Sequence, residues 1–154
     1  MKTIEVKKGQ ILQRKGDTNT KVYFVESGLL RSYAIDEKGK EHIYMFASEG
    51  WIMTDNIAPN KPAALYIDAI ENTIAVQETK EMVSGHDGQK LIARVGVLQE
   101  RIILLMSASA LDRYDHFVET YPDIVRRVPQ KMIASYLGIT PEALSAAKGM
   151  RFKK

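Results

Sequence analysis

Hydroxyl, carboxylate and cationic side chains cluster near the C-terminal end of the sequence. The hydroxyls of Thr140 and Ser145 and the carboxylate of Glu142 can exchange hydrogen bonds with base-pair edges, whereas Lys148 and Arg151 can pair with phosphates. These residue types predict contacts with double-stranded DNA. Ala143 from the same stretch, and two residues from slightly upstream, complete the set of candidate contacts. The set is Gln130, Lys131, Thr140, Glu142, Ala143, Ser145, Lys148 and Arg151.

The spacing of small and apolar residues predicts the element that would hold these side chains. Ala134 lies four residues before Gly138, and Leu144 follows six residues later. In a helix-turn-helix the early small residue lets the second helix approach, the glycine adopts a left-handed turn conformation, and the later apolar residue anchors the second helix. That second helix usually enters the major groove of DNA. The simpler alternative is two ordinary packed helices joined by a short turn.

Start and stop signals support two helices in this segment. Pro129 suits a first helical turn, and Gly138 suits the end of that helix. Thr140 is a favourable N-cap before Pro141 and Glu142, so TPEALSAAKGM predicts a second helix of about three turns. For Glu142, an equally good explanation is a negative charge that stabilises the positive end of the helix.

The composition is that of an ordinary globular protein with a mild excess of positive charge. Of the 154 residues, 45% are hydrophobic and 27% are charged, and the net charge of +3 is compatible with a polyanionic partner. The absence of cysteine excludes disulfides, thiolate metal sites and thiol catalysis. Because His42, His86 and His116 are widely separated, we predict no metal site.

The sequence has neither an apolar leader nor a membrane-length apolar stretch. The first residues, MKTIEVKKGQ, lack the hydrophobic run of a secretion signal. No segment approaches the length of a membrane span. We therefore expect a cytoplasmic protein with no membrane partner.

The first half of the chain has the pattern of short β-strands. Short alternating or apolar runs are separated by glycine and polar turns, which predicts a β-roll of the double-stranded β-helix or jelly-roll type over residues 1–88. The candidate strands are TIEVKK, QILQRK, KVYFVESG, LLRSYAID, EHIYMFA, ALYIDAI and TIAVQET.

After the roll the periodicity becomes helical. An apolar seam at three- and four-residue steps predicts one long helix over residues 89–116, and the remaining 117–154 hold the helix-turn-helix, so the fold class is α+β. Ile103, Leu104 and Met106 add a second apolar surface, which favours a homodimer through this helix, whereas packing on the roll is the alternative. The predicted dimer seam is Leu91, Val95, Leu98, Ile102 and Leu105.

This order of elements resembles the Crp-Fnr family of bacterial transcription regulators. KKGQILQRKGD and VYFVESGLLRSY are similar to the opening of the family's cyclic-nucleotide-binding roll, and YPDIVRRVPQKMIASYLGITPEALS is similar to its DNA-binding end. Relative to the family, the roll begins almost at Met1 and the chain stops four residues past Met150, so we expect a reduced DNA-binding unit. The resemblance also implies that Ala146 stands where an arginine commonly reads guanine.

The resemblance implies an effector pocket that lacks its usual phosphate ligands. Aligned on DAIE at 68–71, Ala63 takes the place of the arginine that binds the cyclic phosphate, and TDN at 54–56 takes the place of a glycine and glutamate pair. We therefore expect no ordinary cyclic-AMP binding, no certain cofactor, and at most an unidentified small-molecule effector. The candidate pocket residues are Met53, Thr54, Asp55, Asn56, Ala63, Ala64 and Tyr66, with Gln99 and Arg101 from the long helix.

Two hypotheses of function follow. The first is a homodimeric DNA-binding transcription regulator with RNA polymerase as a further candidate partner. The alternative is a ligand-binding or dimeric interaction module that has lost sequence-specific DNA binding, which the small residues Ala146, Ala147 and Gly149 favour. An enzyme on a cupin-like roll would need clustered histidines or paired carboxylates, and we predict no catalytic residues.

Overall fold

The computed structural model describes residues 1–55, 60–80 and 88–151, with the backbone alone at 88–92 and 94. Two compact units divide the chain, one spanning Met1–Asp87 and the other Gly88–Lys154. The first unit is an antiparallel β-roll and the second is helical, so the protein is α+β. Within the described residues, no helix is both long and apolar enough to cross a membrane.

The described part of the β-roll consists of two four-stranded sheets. Six of its eight strands fall within the predicted runs, β1 begins one residue before its run, and the short β6 lies outside all of them. The strands are β1 Lys2–Val6, β2 Ile11–Gln13, β3 Lys21–Ser27, β4 Leu30–Ile35, β5 Glu41–Ala47, β6 Ile52–Met53, β7 Tyr66–Ala69 and β8 Thr73–Thr79. Their order is β1-β8-β3-β6 in one sheet and β2-β7-β4-β5 in the other, and all pairs are antiparallel.

The core of the roll lies on the inward faces of these sheets. Tyr23 and Val25 come from the first sheet, whereas Leu30 and Ile67 come from the second. Because side chains alternate along a strand, the neighbours Arg31 and Asp68 occupy the opposite face, where the Arg31 guanidinium donates two hydrogen bonds to the Asp68 carboxylate. This alternation sorts the inward from the outward residues of the roll.

One turn of the roll requires glycine for space as well as for conformation. Gly28 adopts φ +92°, and a Cβ there would lie 2.5 Å from the carbonyl oxygen of Asn72. The following Leu29 amide donates to the Thr73 hydroxyl. The turn between β3 and β4 therefore packs directly against the turn before β8, which only a residue without a side chain permits.

Within its described residues, the helical unit contains five helices. They are α1 Gly88–Ser107, α2 Ala110–Thr120, α3 Ile124–Arg127, α4 Gln130–Leu137 and α5 Pro141–Arg151. The prediction of a single helix as far as residue 116 is wrong, because α1 ends at Ser107 and α2 begins afresh. Ser109 forms a capping box with Asp112, in which each side chain accepts a hydrogen bond from the other residue's backbone amide.

Candidate nucleic-acid interface and roll interior

Helix α4 ends and helix α5 begins at the residues that the sequence indicates, and the other boundary of each helix lies within one residue of the prediction. Pro129 precedes α4, and Gly138 closes it in the left-handed conformation (φ +65°, ψ +32°), with its amide donating to the carbonyls of Ala134 and Ser135. The Thr140 hydroxyl accepts a hydrogen bond from the Ala143 amide at 3.1 Å and so caps α5. This arrangement is consistent with a helix-turn-helix.

Helix α5 has a buried side and an exposed side. Leu144 and Ala147 are fully buried against the body of the unit. The opposite side carries Glu142, Ser145, Ala146 and Gly149, which recur at helical spacing and are all exposed. Of the predicted contacts, Gln130, Lys131 and Thr140 are also exposed, whereas Ala143 and Lys148 are half-buried.

Glu142 is the charged residue among the four on the exposed side of α5, and its charge is negative. Hydrogen bonds from its own backbone amide and from the Thr140 hydroxyl lower the pKa of Glu142. The carboxylate therefore stays ionised at neutral pH and lies at the positive end of the helix, as the capping explanation expects. The same carboxylate is exposed and can still accept a hydrogen bond from a cytosine amino group.

Arg151 lies on the other side of α5, in contact with residues of α2. Its guanidinium is 2.9 Å from a carboxylate oxygen of Asp115 on α2, and it lies over the Tyr114 ring. Arg151 follows Leu144 and Ala147 on the buried side, because these positions are separated by three and four residues. The guanidinium of Arg151 therefore ties α5 to α2, and its contact with a phosphate stays a prediction.

Two arginines hold the end of α4, and neither role was expected from the sequence. Arg113 of α2 donates to the carbonyls of Leu105 and Ala108 at the end of α1 and to that of Leu137 in α4. Arg101 of α1 donates to the Tyr136 carbonyl at 2.9 Å, and its guanidinium lies 4.0 Å from the centre of the Tyr136 ring. We call Arg101 and Arg113 the arginine clamp. These bonds satisfy carbonyls that a helix end leaves without partners.

The arginine clamp borders a small cavity between α1, α2 and α4. Its volume is about 40 Å³, and the aromatic rings of Phe117, Tyr121 and Tyr136 meet beside it, with centroids 5.2 to 6.3 Å apart. A space of this size holds one or two water molecules.

The predicted dimer seam divides between two faces of α1. Leu98 and Leu105 are half-buried, whereas Val95 and Ile102 are 47% and 55% exposed. Ile103 and Met106 are still more exposed, at 63% and 82%. The side chain of Leu91 lies outside the described residues. We call the residues Val95, Ile102, Ile103 and Met106 the exposed face of α1.

The predicted pocket residues that the structure describes in the roll have different surroundings. Met53 is fully buried in the core, and the Thr54 hydroxyl donates to the backbone carbonyls of Lys21 and of its own neighbour Asp55. Tyr66 points away from the core and stacks on Tyr33, with ring centroids 5.3 Å apart. Asn56 lies outside the described residues, and Gln99 and Arg101 belong to the helical unit.

Asp55 lies at the centre of a cluster of buried hydrogen bonds. One oxygen of this carboxylate, Oδ2, accepts hydrogen bonds from the backbone amides of Ala64 (3.0 Å) and Leu65 (3.3 Å) and from the side-chain amide of Gln13 (3.3 Å). Asp55 is only 2% exposed. Ala63, next to these amides, is buried, and its own amide donates to the Asp17 carbonyl. The cluster links the segments that follow β2 and β6 to the start of β7.

Comparison with known proteins places both units in one family of folds. Residues 3–83 match the family model described as cyclic nucleotide-binding domain. Among curated relatives, the anaerobic regulatory protein of Aggregatibacter actinomycetemcomitans is 25% identical over 97% of this chain and 66% of its own length. The regulatory protein HlyX of Actinobacillus pleuropneumoniae is 26% identical over 97% of this chain and 70% of its own length.

Solved structures show the same fold over nearly the whole chain. FixK2 from Bradyrhizobium japonicum superposes with a TM-score of 0.79 at 23% identity, covering 99% of this chain and 84% of its own. A CRP/FNR-family transcriptional regulator from Thermus thermophilus gives 0.76 at 14% identity, covering 99% and 86%. The chain spans slightly less than two thirds of the first of the curated relatives. Because the family model covers more than half of the 154 residues, the chain belongs to the cyclic nucleotide-binding domain family and is a relative of the Crp-Fnr regulators.

Proposed function

We propose that this protein is a homodimeric transcription regulator that binds double-stranded DNA through α5. The observation that carries the proposal is the exposed side of α5, where Glu142, Ser145 and Ala146 face solvent opposite the buried Leu144 and Ala147. A helix held from one side by its own protein and free on the other can lie in a major groove. The curated relatives are named as regulatory proteins, which supports the same interpretation.

The proposed DNA contacts divide into two kinds. Ser145 and Glu142 are proposed to meet base edges, while Lys131 and Gln130 at the start of α4 are proposed to meet the phosphate backbone. Thr140 caps α5, and its position next to Glu142 keeps it in the proposed interface. Lys148 stays in the set through its long side chain, and Arg151 stays in it as a proposed phosphate contact that also pairs with Asp115.

Homodimerisation is proposed through the exposed face of α1. Four large apolar side chains at helical spacing would leave water on association with the same face of a second copy. A two-fold dimer would present two copies of α5 to half-sites about 34 to 36 Å apart. An effector that favours one of two arrangements of the dimer would then change this spacing and so the affinity for DNA.

The roll is proposed not to bind cyclic AMP in the manner implied by the resemblance. Ala63 has no charge to offer a phosphate, and the nearby amides of Ala64 and Leu65 already donate to Asp55. We propose instead that the roll binds a different small-molecule effector.

We also propose RNA polymerase as a partner of the regulator and a cytoplasmic location for it.

Selection of binding sites from fragmented genomic DNA by the purified protein tests the function. Enrichment of an inverted repeat with half-sites about one helical turn apart is expected. Protein with Ser145→Glu and Ala146→Glu should fail to enrich it, because added carboxylates on the exposed side of α5 repel the phosphates of DNA. Recovery of no shared sequence would defeat the regulator proposal and favour the interaction module.

A further inference from the structure

The Asp55 carboxylate occupies a group of hydrogen-bond donors that would otherwise suit a bound anion. Three donors among the described residues point at the same oxygen, and two of them are amides of consecutive residues, Ala64 and Leu65. Consecutive backbone amides that converge on one point form a site for an anion, including the oxygens of phosphate. In this chain the anion that fills the site belongs to the protein.

The Gln13 side chain adds a second observation on the same cluster. Gln13 is 2% exposed, and its Nε2 also donates to the Leu65 carbonyl at 2.8 Å, which fixes the orientation of the amide with the nitrogen towards Asp55. Its Oε1 is buried without a hydrogen-bond partner among the described residues. The Leu65 carbonyl thus holds the Gln13 nitrogen within hydrogen-bond distance of the Asp55 carboxylate, even though the Gln13 acceptor remains unsatisfied.

We propose that Asp55 is a built-in anion at the amides of Ala64 and Leu65, and that it excludes phosphate and carboxylate ligands from this part of the roll. A second anion at the same amides would have to displace the carboxylate or lie beside it, where like charges repel. Asp55 is thus the residue that determines which class of ligand the roll accepts. The role of Asp55 concerns the roll alone. Only its consequence, the class of effector that the regulator would sense, rests on the proposed function.

Chemical rescue tests this role directly. Replacing Asp55 by Ala deletes a group the size of formate, and Asp55→Gly deletes one the size of acetate. The matching anion should refill the vacancy and raise the Tm of that variant by about 2 to 4 °C more than sodium chloride at equal ionic strength. Trp51, the only tryptophan of the chain, lies in the roll, so its fluorescence follows unfolding of this unit.

Two matched variants separate refilling of the site from general salt effects. Asp17→Ala deletes an exposed carboxylate from a neighbouring turn, where it accepts from the Arg14 amide, and formate should add nothing beyond chloride. Asp55→Asn keeps the volume of the side chain, so formate should not rescue it either. Equal formate effects on Asp55→Ala, Asp17→Ala and the native protein would overturn the proposal, as would Asp55→Ala that is unfolded and is not recovered by formate.

A second arm uses inorganic phosphate and ³¹P NMR. Phosphate should show saturable line broadening with Asp55→Ala and at least about tenfold weaker broadening with the native protein, a difference of about 1.4 kcal/mol in binding. Equal broadening with both proteins would overturn the exclusion of anions. Cyclic-AMP binding by the native protein would count against the exclusion as well, whereas failure to enrich an inverted repeat would defeat the proposed regulator and leave the role of Asp55 standing, so the two failures are distinguishable.

Discussion

The guanidinium of Arg113 lies 3.2 Å from the carbonyl oxygen of Leu137, the last residue of α4 before the turn at Gly138. The same guanidinium donates to two carbonyls at the end of α1. One side chain of α2 therefore fixes the ends of two other helices. Since α5 starts just beyond the turn, the position of its exposed side depends on this arginine.

Replacing Arg113 by Met should destabilise the helical unit by about 1 to 3 kcal/mol, because three carbonyl oxygens lose a charged donor. Urea unfolding followed by circular dichroism at 222 nm measures the change. The exposed Arg126→Met is the control, with an expected change within about 0.5 kcal/mol. Equal effects of the two substitutions would contradict the structural role of the clamp.

Gly138→Ala should destabilise the protein by about 1 to 2 kcal/mol, because a side chain disfavours the left-handed conformation. The added Cβ would also lie 3.3 Å from a methyl carbon of Leu105. Gly149→Ala, at an open position within α5, should instead stabilise by about 0.5 to 1 kcal/mol. Thermal unfolding of both variants gives the comparison, and a shift of the same sign in both would count against it.

Ile102→Glu should weaken the proposed dimer by a factor of at least about 10, since each copy would bring a charge into an apolar contact. Sedimentation equilibrium measures the dissociation constant. Ile74→Glu provides the control, because Ile74 is an exposed isoleucine of the roll. A native protein that stays monomeric at high concentration would refute dimerisation through α1.

Tyr23 should make the roll sensitive to alkaline pH. Burial, with a smaller contribution from the Asp17 charge, raises the pKa of Tyr23 from 10.0 to about 12. The folded state favours the neutral phenol, so this contribution to stability is complete below pH 10 and is lost as the pH rises from 10 to 12. Trp51 fluorescence should report falling stability over that interval, and Tyr23→Phe should reduce the loss. An identical pH profile in the variant would rule out this origin.

Lys131→Gln should lower the slope of the logarithm of DNA affinity against the logarithm of salt concentration by about 0.9, the loss of one phosphate contact. The affinity should fall by a similar factor for all DNA sequences, because phosphate contacts carry no sequence information. Fluorescence anisotropy at several salt concentrations measures both. Lys38→Gln, in a turn of the roll, should leave the slope unchanged.

Local sequence signals predicted most of the elements correctly. Alternating runs bounded by glycine located seven of the eight described strands. The caps at Gly138 and Thr140 located the C-terminus of α4 and the N-terminus of α5. The break between α1 and α2 also had a local signal, since Ser109 and Asp112 have capping-box spacing. The apolar seam across that break obscured it, because periodicity alone does not reveal a change in helix direction.

Long-range contacts could not be predicted in this way. Arg113 and Leu137 are 24 residues apart, and Gln13 and Asp55 are 42 residues apart, so no spacing rule relates them. The side of α5 on which Arg151 lies was calculable from helical geometry, but its contact with Asp115 depends on how α2 packs. The interface thus remains a prediction from the sequence, and sequence reasoning missed the arginine contacts at the end of α4.

Hydrogen bonds on both sides hold the junction between α1 and α2, at Ala108 and Ser109, at a fixed angle. Arg113 occupies the carbonyls on the α1 side, and the Ser109 and Asp112 pair occupies the amides on the α2 side. Opening or straightening this junction would break hydrogen bonds on both sides of it, whereas a rotation of α1 and α2 as one body would keep them and strain only the bonds that Arg101 and Arg113 make to α4. A displacement of α1 would therefore rotate α2 with the angle between the two helices unchanged, and the junction would not unfold.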